Sequence, residues 1–421
     1  MKFNQPENEN YAATVVKIKG LNALEGCDNV VGTPIFGFQA IVSKDTADGD
    51  VGIFFPAESQ LSEEYARENN LFRHSDKNND ESKQGYLEDN RRVRAMKFRG
   101  HRSDCLFMPL SSLSYIKNLK IDELKEGDTF DRIGDHEICK KYIVKKTFKE
   151  KRVEKNKEKF VRVDKKFLPE HFDSDNYFRY ADTIPPEREV IVTQKLHGTS
   201  IRVGNTVVAR KMGILDKIAK RLGIQVRETD YDYVFGSRKV IKDVNNPNQN
   251  HFYGSDIWTT EGKRLEGIVP EGYILYGELI GWTPEGGPIQ KNYTYQIPHG
   301  TCDLYIYRVA TINSQGYMCD LSWDQTVEFC RDRGLKTVPE LWRGKYKDFR
   351  VEHYMDRRFQ DDGHATVVPL DKESPVDEGV CIRMDGIAPY ILKAKSPVFL
   401  EHETKMLDQE VLDIESEESN V

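Results

Sequence analysis

Short apolar or alternating runs, each closed off by Gly, Asp or Asn, dominate the first third of the chain. ATVVKIKGLNAL, DVGIFFPA, RVRAMKFRG and SDCLFMPL, all within residues 1–136, carry this pattern, which is that of short strands separated by turns. FRHSDKNNDESKQGYLEDN falls between the middle runs and is polar enough to predict a long surface loop. Several short strands in a unit of this size predict a small β-barrel, of which the OB-fold is one kind. From Glu187 the pattern becomes mixed. REVIVTQKL, GYILYGELIGW, DLYIYRVATI and YILKAKS read as strands, with YDYVF a shorter one. SWDQTVEFCRDRGL has helical spacing, with Trp323, Val327 and Cys330 on one face and Gly334 as its stop. ILDKIAKRLGI predicts a second, short amphipathic helix.

The expected organisation is a β-rich unit over 1–136, a basic linker and docking segment over 137–186, a mixed unit over 187–407 and an acidic tail over 408–421. A chain of 421 residues is long enough for such a division. Charged residues make up 31% of it and no apolar run approaches the ~20 residues of a membrane span, so no membrane partner is expected. The start, MKFNQPENEN, lacks the apolar core of a secretory signal. The seven cysteines show no zinc-ligand spacing, which fits a reduced, cytoplasmic setting. A net charge of −7 argues against nucleic acid only on average. The run from Lys140 to Lys166 is strongly basic and the tail DQEVLDIESEESNV acidic. Phosphate backbones respond to local patches.

Candidate chemistry begins at VTQKLHGTSIRV. Lys195 ends a strand-like run and is followed by the small residues Gly198, Thr199 and Ser200, a placement that can hold an ammonium over a phosphate. Such a lysine becomes a nucleophile where neighbouring cations and burial favour its neutral form. GSRKV places Ser237 and Arg238 after a strand. YILYGELIGW sets Glu278 within an apolar run, where a carboxylate is costly unless it meets a cation, a metal or a sugar hydroxyl. DEGVCIRMDG puts Glu378 at the head of another strand. ILKAKS puts Lys393 and Lys395 on one strand face. Each segment alone also reads as an ordinary surface or turn feature.

In this order the five segments resemble the covalent nucleotidyltransferase superfamily of ATP-dependent ligases and mRNA capping enzymes. KLHG at 195–198 matches its KxxG nucleophile motif, and SR at 237–238, YGEL at 276–279, EGV at 378–380 and KAK at 393–395 resemble the elements that follow. DLYIYRV resembles the element whose aromatic packs on adenine, with Tyr305 and Tyr307 both open for that role. Arg308 stands where the family usually has Asp. His197 in KLHG favours the RNA-ligase branch. RVRAMKFRGHRSDCLFMPL, preceding the nucleotidyltransferase region, resembles the N-terminal OB module of the nick-sealing RNA ligases, the fifth RNA-ligase family.

That resemblance implies an α+β fold: an N-terminal OB-like β-barrel, then an adenylyltransferase domain of the ATP-grasp-like ligase and capping-enzyme type, with antiparallel sheets and flanking helices. It implies an enzyme that uses ATP and Mg²⁺ or Mn²⁺, acts as a monomer, and joins RNA or RNA/DNA ends bearing a 5′-phosphate and a 3′-hydroxyl. Lys195 is then the nucleophile, Lys393 and Lys395 the α-phosphate contacts, and Arg238 a sugar or phosphate contact, with Arg210 and Lys211 of VVARKMG as substitutes. His197, Gly198, Glu278, Tyr305, Tyr307 and Glu378 bind the nucleotide, Gly198 by letting the backbone approach it. Glu378 and Glu278 supply oxygen ligands to the metal. The rival readings are a DNA nick ligase, a capping-type nucleotidyltransferase, and a nucleic-acid-binding protein with a decayed ligase domain.

Overall fold

The computed structural model describes residues 3–143, 162–242, 256–364 and 366–409. Residues 144–161 of the basic run and 410–421 of the acidic tail lie outside them. The chain forms two compact units, one of Met1–Val144, Asp175–Ala181 and Lys395–Val411, the other of Lys145–Ser174, Asp182–Ala394 and Leu412–Val421.

In the first unit, β1 (Ala13–Lys17), β2 (Val51–Pro56), β3 (Cys105–Pro109) and β4 (Thr129–Phe130) form an antiparallel sheet in the order β4-β1-β2-β3. The unbroken run of DVGIFFPA is explained by β2, which is covered on both faces. Ile53 and Phe55 join one core cluster and Phe54 another, all fully buried. The strands Asn22–Ala23, Val30–Ile35 and Phe38–Ser43 make a separate three-stranded sheet. Among the described residues this unit adds two short hairpins and the long-range pairing of Cys139–Lys141 with Ser59–Leu61, and no closed barrel is formed. The polar segment after Phe72 is a loop, but one organised from within. Asn78 is buried, accepting from Phe72 N and donating to Phe72 O and Lys83 O.

The helix Pro397–Asp408 also belongs to this unit. Arg92, its side chain wholly buried, donates to Thr404 O at 3.1 Å and to Asp408 Oδ1 at 2.5 Å. Glu58 lies 3.6 Å from the same guanidinium and accepts from Thr404 Oγ1 at 2.7 Å. Burial outweighs Arg92 and pushes the Glu58 carboxyl up to about 7. Its folded value therefore exceeds its unfolded one, and the folded chain holds the extra proton between about pH 4.5 and 7. The stability from this group is present below that window and is lost as pH rises through it, by at most about 1.4 kcal/mol per pH unit. Glu58→Gln is expected to flatten the fall in thermal midpoint between pH 5 and 7.5. An unchanged slope would assign that fall to other groups.

The second unit is built on two antiparallel sheets. The larger runs β7-β6-β8-β9-β10, from β6 (Thr199–Ala209), β7 (Thr229–Gly236), β8 (Tyr273–Gly281), β9 (Cys302–Ile312) and β10 (Met318–Asp320). The other runs β13-β12-β5-β11, from β5 (Glu189–Gln194), β11 (Glu340–Lys345), β12 (Gly379–Met384) and β13 (Tyr390–Lys395). The strand-like runs of the sequence form these elements because their apolar positions are buried on the sheet faces. Ile201, Val203, Leu275, Leu279 and Ile306 meet Trp258 and Phe329 on one face of the larger sheet. Tyr276 and Ile274 meet Leu168 and Phe167 on the other.

Two helices carry the sequence signals differently. In α3 (Trp323–Arg331), Ser322 and Gln325 form a capping box, and Trp323, Thr326, Phe329 and Cys330 are buried. Val327 is only half-buried, so the inward face is turned from the expected one. In α1 (Ile214–Arg221) the amphipathic pattern is present but uncovered, with Ile214 79%, Leu215 82% and Leu222 72% exposed. This helix follows the far end of the β6–β7 ladder, where Ala209 pairs with Thr229. The helix α2 (Ile257–Lys263) brings Trp258 to the first turn of β6, its indole N–H donating to Ser200 O at 3.1 Å. Among the described residues, no helix is long and apolar enough to cross a membrane.

Candidate active site

β5 ends at Gln194 and β6 begins at Thr199, so Lys195–Gly198 is the turn that joins the two sheets of this unit. Gln194 fixes its entry. Its side chain donates to Asp377 Oδ1 at 2.7 Å and to Val368 O at 3.0 Å, and Lys195 N donates to Gly379 O at 3.0 Å. Lys195 thus sits beside the head of β12, where Asp377 and Glu378 lie. Its ammonium is 2.9 Å from Glu378 Oε1. The carboxylate is 2% exposed and the lysine side chain 20%, so the amine faces an accessible side while its counter-charge is shielded.

The other side of the turn is held by β8. Gly198 N donates to Glu278 Oε1 at 3.0 Å, and Ser200 Oγ donates to Glu278 Oε2 at 3.3 Å. These bonds account for a buried carboxylate in an apolar strand. A Cβ on Gly198 would stand 2.1 Å from Leu279 O. The close approach that requires glycine is therefore to β8, a constraint not foreseen when its role was read as room for a nucleotide. His197 Nδ1 lies 3.8 Å from Glu378 Oε2, and Tyr293 meets its ring edge-on at 5.2 Å.

Burial pushes the Cys381 thiol on β12 up to about 11, and the charges that act on it are, in order, Lys195, Glu378, Lys393 and Glu278. Two of these four are in direct contact, the Lys195 ammonium and the Glu378 carboxylate, while Glu278 holds Gly198 N of the same turn. Lys395, two residues beyond Lys393, belongs to the other compact unit. There its ammonium pairs with Glu403 at 3.1 Å and lies 5.2 Å from the centre of the Phe399 ring.

The remaining candidates take distinct positions. Arg238 follows β7 at the end of the ladder where Gly236 pairs with Arg202, and its guanidinium is ion-paired with Asp173. Arg210 pairs with Asp216 at 2.8 Å and lies with Lys211 at the opposite end of that ladder. Distance along β6 thus separates both from the turn. Tyr305 stands opposite Glu278 in the β8–β9 register, with Lys336 Nζ 5.4 Å from its ring centre. Tyr307 meets the His171 ring at 5.0 Å. Arg308, where Asp is usual, is 2% exposed, pairs with Asp320 at 2.5 Å and lies against the rings of Phe172 and Tyr276. That cation is a packing element of the sheet.

Among the described residues, no group of three or more His, Cys, Asp or Glu is arranged to hold a metal ion. The chemistry of the donor set fits a cation held partly by a ligand. The carboxylates at the turn, the shielded Glu378 and Glu278 on its other side, are of the donor type that can contribute oxygens to a cation such as Mg²⁺.

Residues 188–395 match the family model described as RNA ligase. Solved structures of Naegleria gruberi RNA ligase are similar over almost the entire chain. A ligand-free aspartate-to-alanine variant is 16% identical with a TM-score of 0.60, over 95% of this chain and 100% of that one. The enzyme with PPi is 18% identical with a TM-score of 0.59, over 94% and 99%. A lysine-to-alanine variant with ATP and Mn is 16% identical with a TM-score of 0.58, also over 94% and 99%. At these identities the likeness is one of fold, mixed α and β with antiparallel sheets. No curated protein matches the chain at a significant level.

Proposed function

Because the chain belongs, through residues 188–395, to the RNA ligase family, we propose that this ATP-dependent RNA ligase carries AMP on Lys195 and seals a 3′-hydroxyl to a 5′-phosphate end. The observation that supports the reading is the turn Lys195–Gly198 between two sheets, with its ammonium 2.9 Å from the shielded Glu378 carboxylate and its Gly198 N held by Glu278 at 3.0 Å. An amine on an accessible side, a cation on the neighbouring strand and two carboxylates are the parts that nucleotidyl transfer needs.

Three in-line displacements at phosphorus follow. Lys195 Nζ attacks the α-phosphorus of ATP, losing its proton and expelling pyrophosphate. A 5′-phosphate oxygen of the nucleic acid then takes the AMP from the lysine, giving an AppN end and restoring the amine. A 3′-hydroxyl attacks that end, forming the phosphodiester and releasing AMP. Catalysis of such steps is positioning plus neutralisation of charge on nonbridging oxygens. Lys393 contributes to that neutralisation. Lys395 does so once its ammonium exchanges Glu403 for phosphate. Arg238 meets sugar or the incoming 5′-phosphate, and Tyr305 or Tyr307 packs on adenine. Glu378 and Glu278 hold Mg²⁺ or Mn²⁺, which supplies positive charge to the phosphate oxygens. The first unit, read as OB-like from its short strands, is the nucleic-acid-binding module, and nick or end repair is the role.

Lys393→Ala and Lys395→Ala are each expected to slow adenylylation by at least ~10²-fold, the scale for removing a group that stabilises developing charge. Near wild-type rates would remove them from the phosphate site. The reaction itself is tested with ATP, Mg²⁺ or Mn²⁺ and nicked duplexes that differ only in the sugar of the 3′-hydroxyl strand. RNA-ended nicks should seal best. Preference for all-DNA nicks, or labelling by GTP, would point to a DNA ligase or a capping-type enzyme. Binding of nicks without any nucleotide transfer would point to a decayed domain.

A further inference from the structure

The turn that carries Lys195 is gripped from outside by a polar segment with no part in the motif set. Gln290–Gln296, between β8 and β9, has three non-glycine residues in the left-handed region: Asn292 at φ 66, Tyr295 at φ 55 and Gln296 at φ 55. Such a conformation is unfavourable for a non-glycine residue and persists only where its surroundings impose it. Asp371 imposes it. Its carboxylate accepts from Thr294 N at 2.5 Å, Thr294 Oγ1 at 2.6 Å, Tyr295 N at 3.0 Å and Gln296 N at 2.8 Å. The buried Tyr293 hydroxyl then donates to Val376 O at 2.7 Å, two residues before Glu378.

Fixed in this way, the segment presents two buried side chains to the nucleophile turn. His197 N donates to the Tyr295 hydroxyl at 2.7 Å, and Gln290 Nε2 donates to Gly198 O at 2.9 Å. Both peptide groups are interior groups of the turn, and Gly198 N is already held by Glu278. The turn between Lys195 and Thr199 is therefore tied to β8 through Glu278 and to the approach to Glu378 through the strap. A buried donor or acceptor that loses its partner is costly, so these bonds define one geometry.

We propose that Tyr295 and Gln290 are positioning residues, and that the strap clasped by Asp371 holds the Lys195–Gly198 turn in register with Glu378 for attack on the nucleotide. The inference rests on Lys195 being the adenylylated lysine. Neither side chain is assigned a contact with substrate. Their effect is expected on the step that uses the Lys195 amine and not on the joining of an end that is already adenylylated, where that amine forms and breaks no bond.

The test compares full-length wild type with Tyr295→Phe, Gln290→Met and Asp371→Asn. Two rates are measured: formation of the protein–AMP adduct at saturating ATP, and sealing of a pre-adenylylated RNA nick without ATP. The account expects Tyr295→Phe to slow adduct formation at least ~10-fold, with sealing of the pre-adenylylated nick within about 3-fold of wild type. Gln290→Met should show the same split, and Asp371→Asn a larger one. Equal losses in both rates would make the strap a purely structural element and overturn the proposal, as would wild-type adduct rates in the variants. If Tyr295→Phe fails to fold, Gln290→Met and Asp371→Asn decide by the same two rates. Absence of any adduct in wild type would instead sink the assignment of Lys195.

Discussion

Lys195→Ala abolishes labelling of the protein by α-labelled ATP, with either Mg²⁺ or Mn²⁺ and at every pH. The loss is complete because the amine is the atom that bonds to phosphorus, so no neighbour can compensate by electrostatics alone. Lys393 and Lys395 lie on β13 and in other contacts, and neither occupies the turn. The adduct in wild type should be stable to alkali and labile to acid, as a phosphoramidate is. Attack requires the free amine, so the contact between Lys195 and Glu378 at 2.9 Å must give way as the bond to phosphorus forms. A residual adduct of the same stability in Lys195→Ala would show that a different lysine is the nucleophile.

Glu378→Gln is expected to cost at least ~10²-fold in adduct formation. The carboxylate is the counter-charge to Lys195, and in the proposed mechanism it is also an oxygen ligand to the metal; an amide of the same shape cannot fill the first role and fills the second poorly. Glutamine keeps the volume, so the head of β12 should remain folded and the thermal midpoint nearly unchanged. Alanine would add a cavity beside Lys195 and confuse the two effects. The loss should be partly offset by high Mn²⁺ if the missing oxygen is a metal ligand, and indifferent to metal if the residue acts only on the lysine. Wild-type rates in Glu378→Gln would exclude both roles.

Much of the second unit was legible because its strands are long apolar runs whose ends carry the exceptional residues. A lysine ending β5, a carboxylate within β8, another at the head of β12 and a lysine on β13 each break a hydrophobic pattern, and the first three meet at the Lys195–Gly198 turn. The strap was illegible for the opposite reason. KNYTYQ has no periodicity, and its clasp by Asp371 joins residues 75 to 77 positions apart. The partner of Lys395 was equally hidden, since Glu403 reads as one more charge on an amphipathic helix. The pattern of ILDKIAKRLGI gave the helix correctly but not its surroundings. Periodicity states which face a helix would bury, and Ile214 and Leu215 remain exposed because nothing among the described residues covers them. In the first unit the alternation located β1 to β3. It did not reveal how strands close on one another, a matter of register and curvature, and among the described residues the expected barrel does not form a closed sheet.

The most direct measurement is intact-mass spectrometry of the full-length protein after incubation with ATP and Mn²⁺, followed by mapping of the modified peptide. The account predicts a single increment the size of AMP, located on the peptide that contains TQKLHG, and lost on adding pyrophosphate or a 5′-phosphorylated nick. An increment on another peptide, or none with any metal, would contradict it.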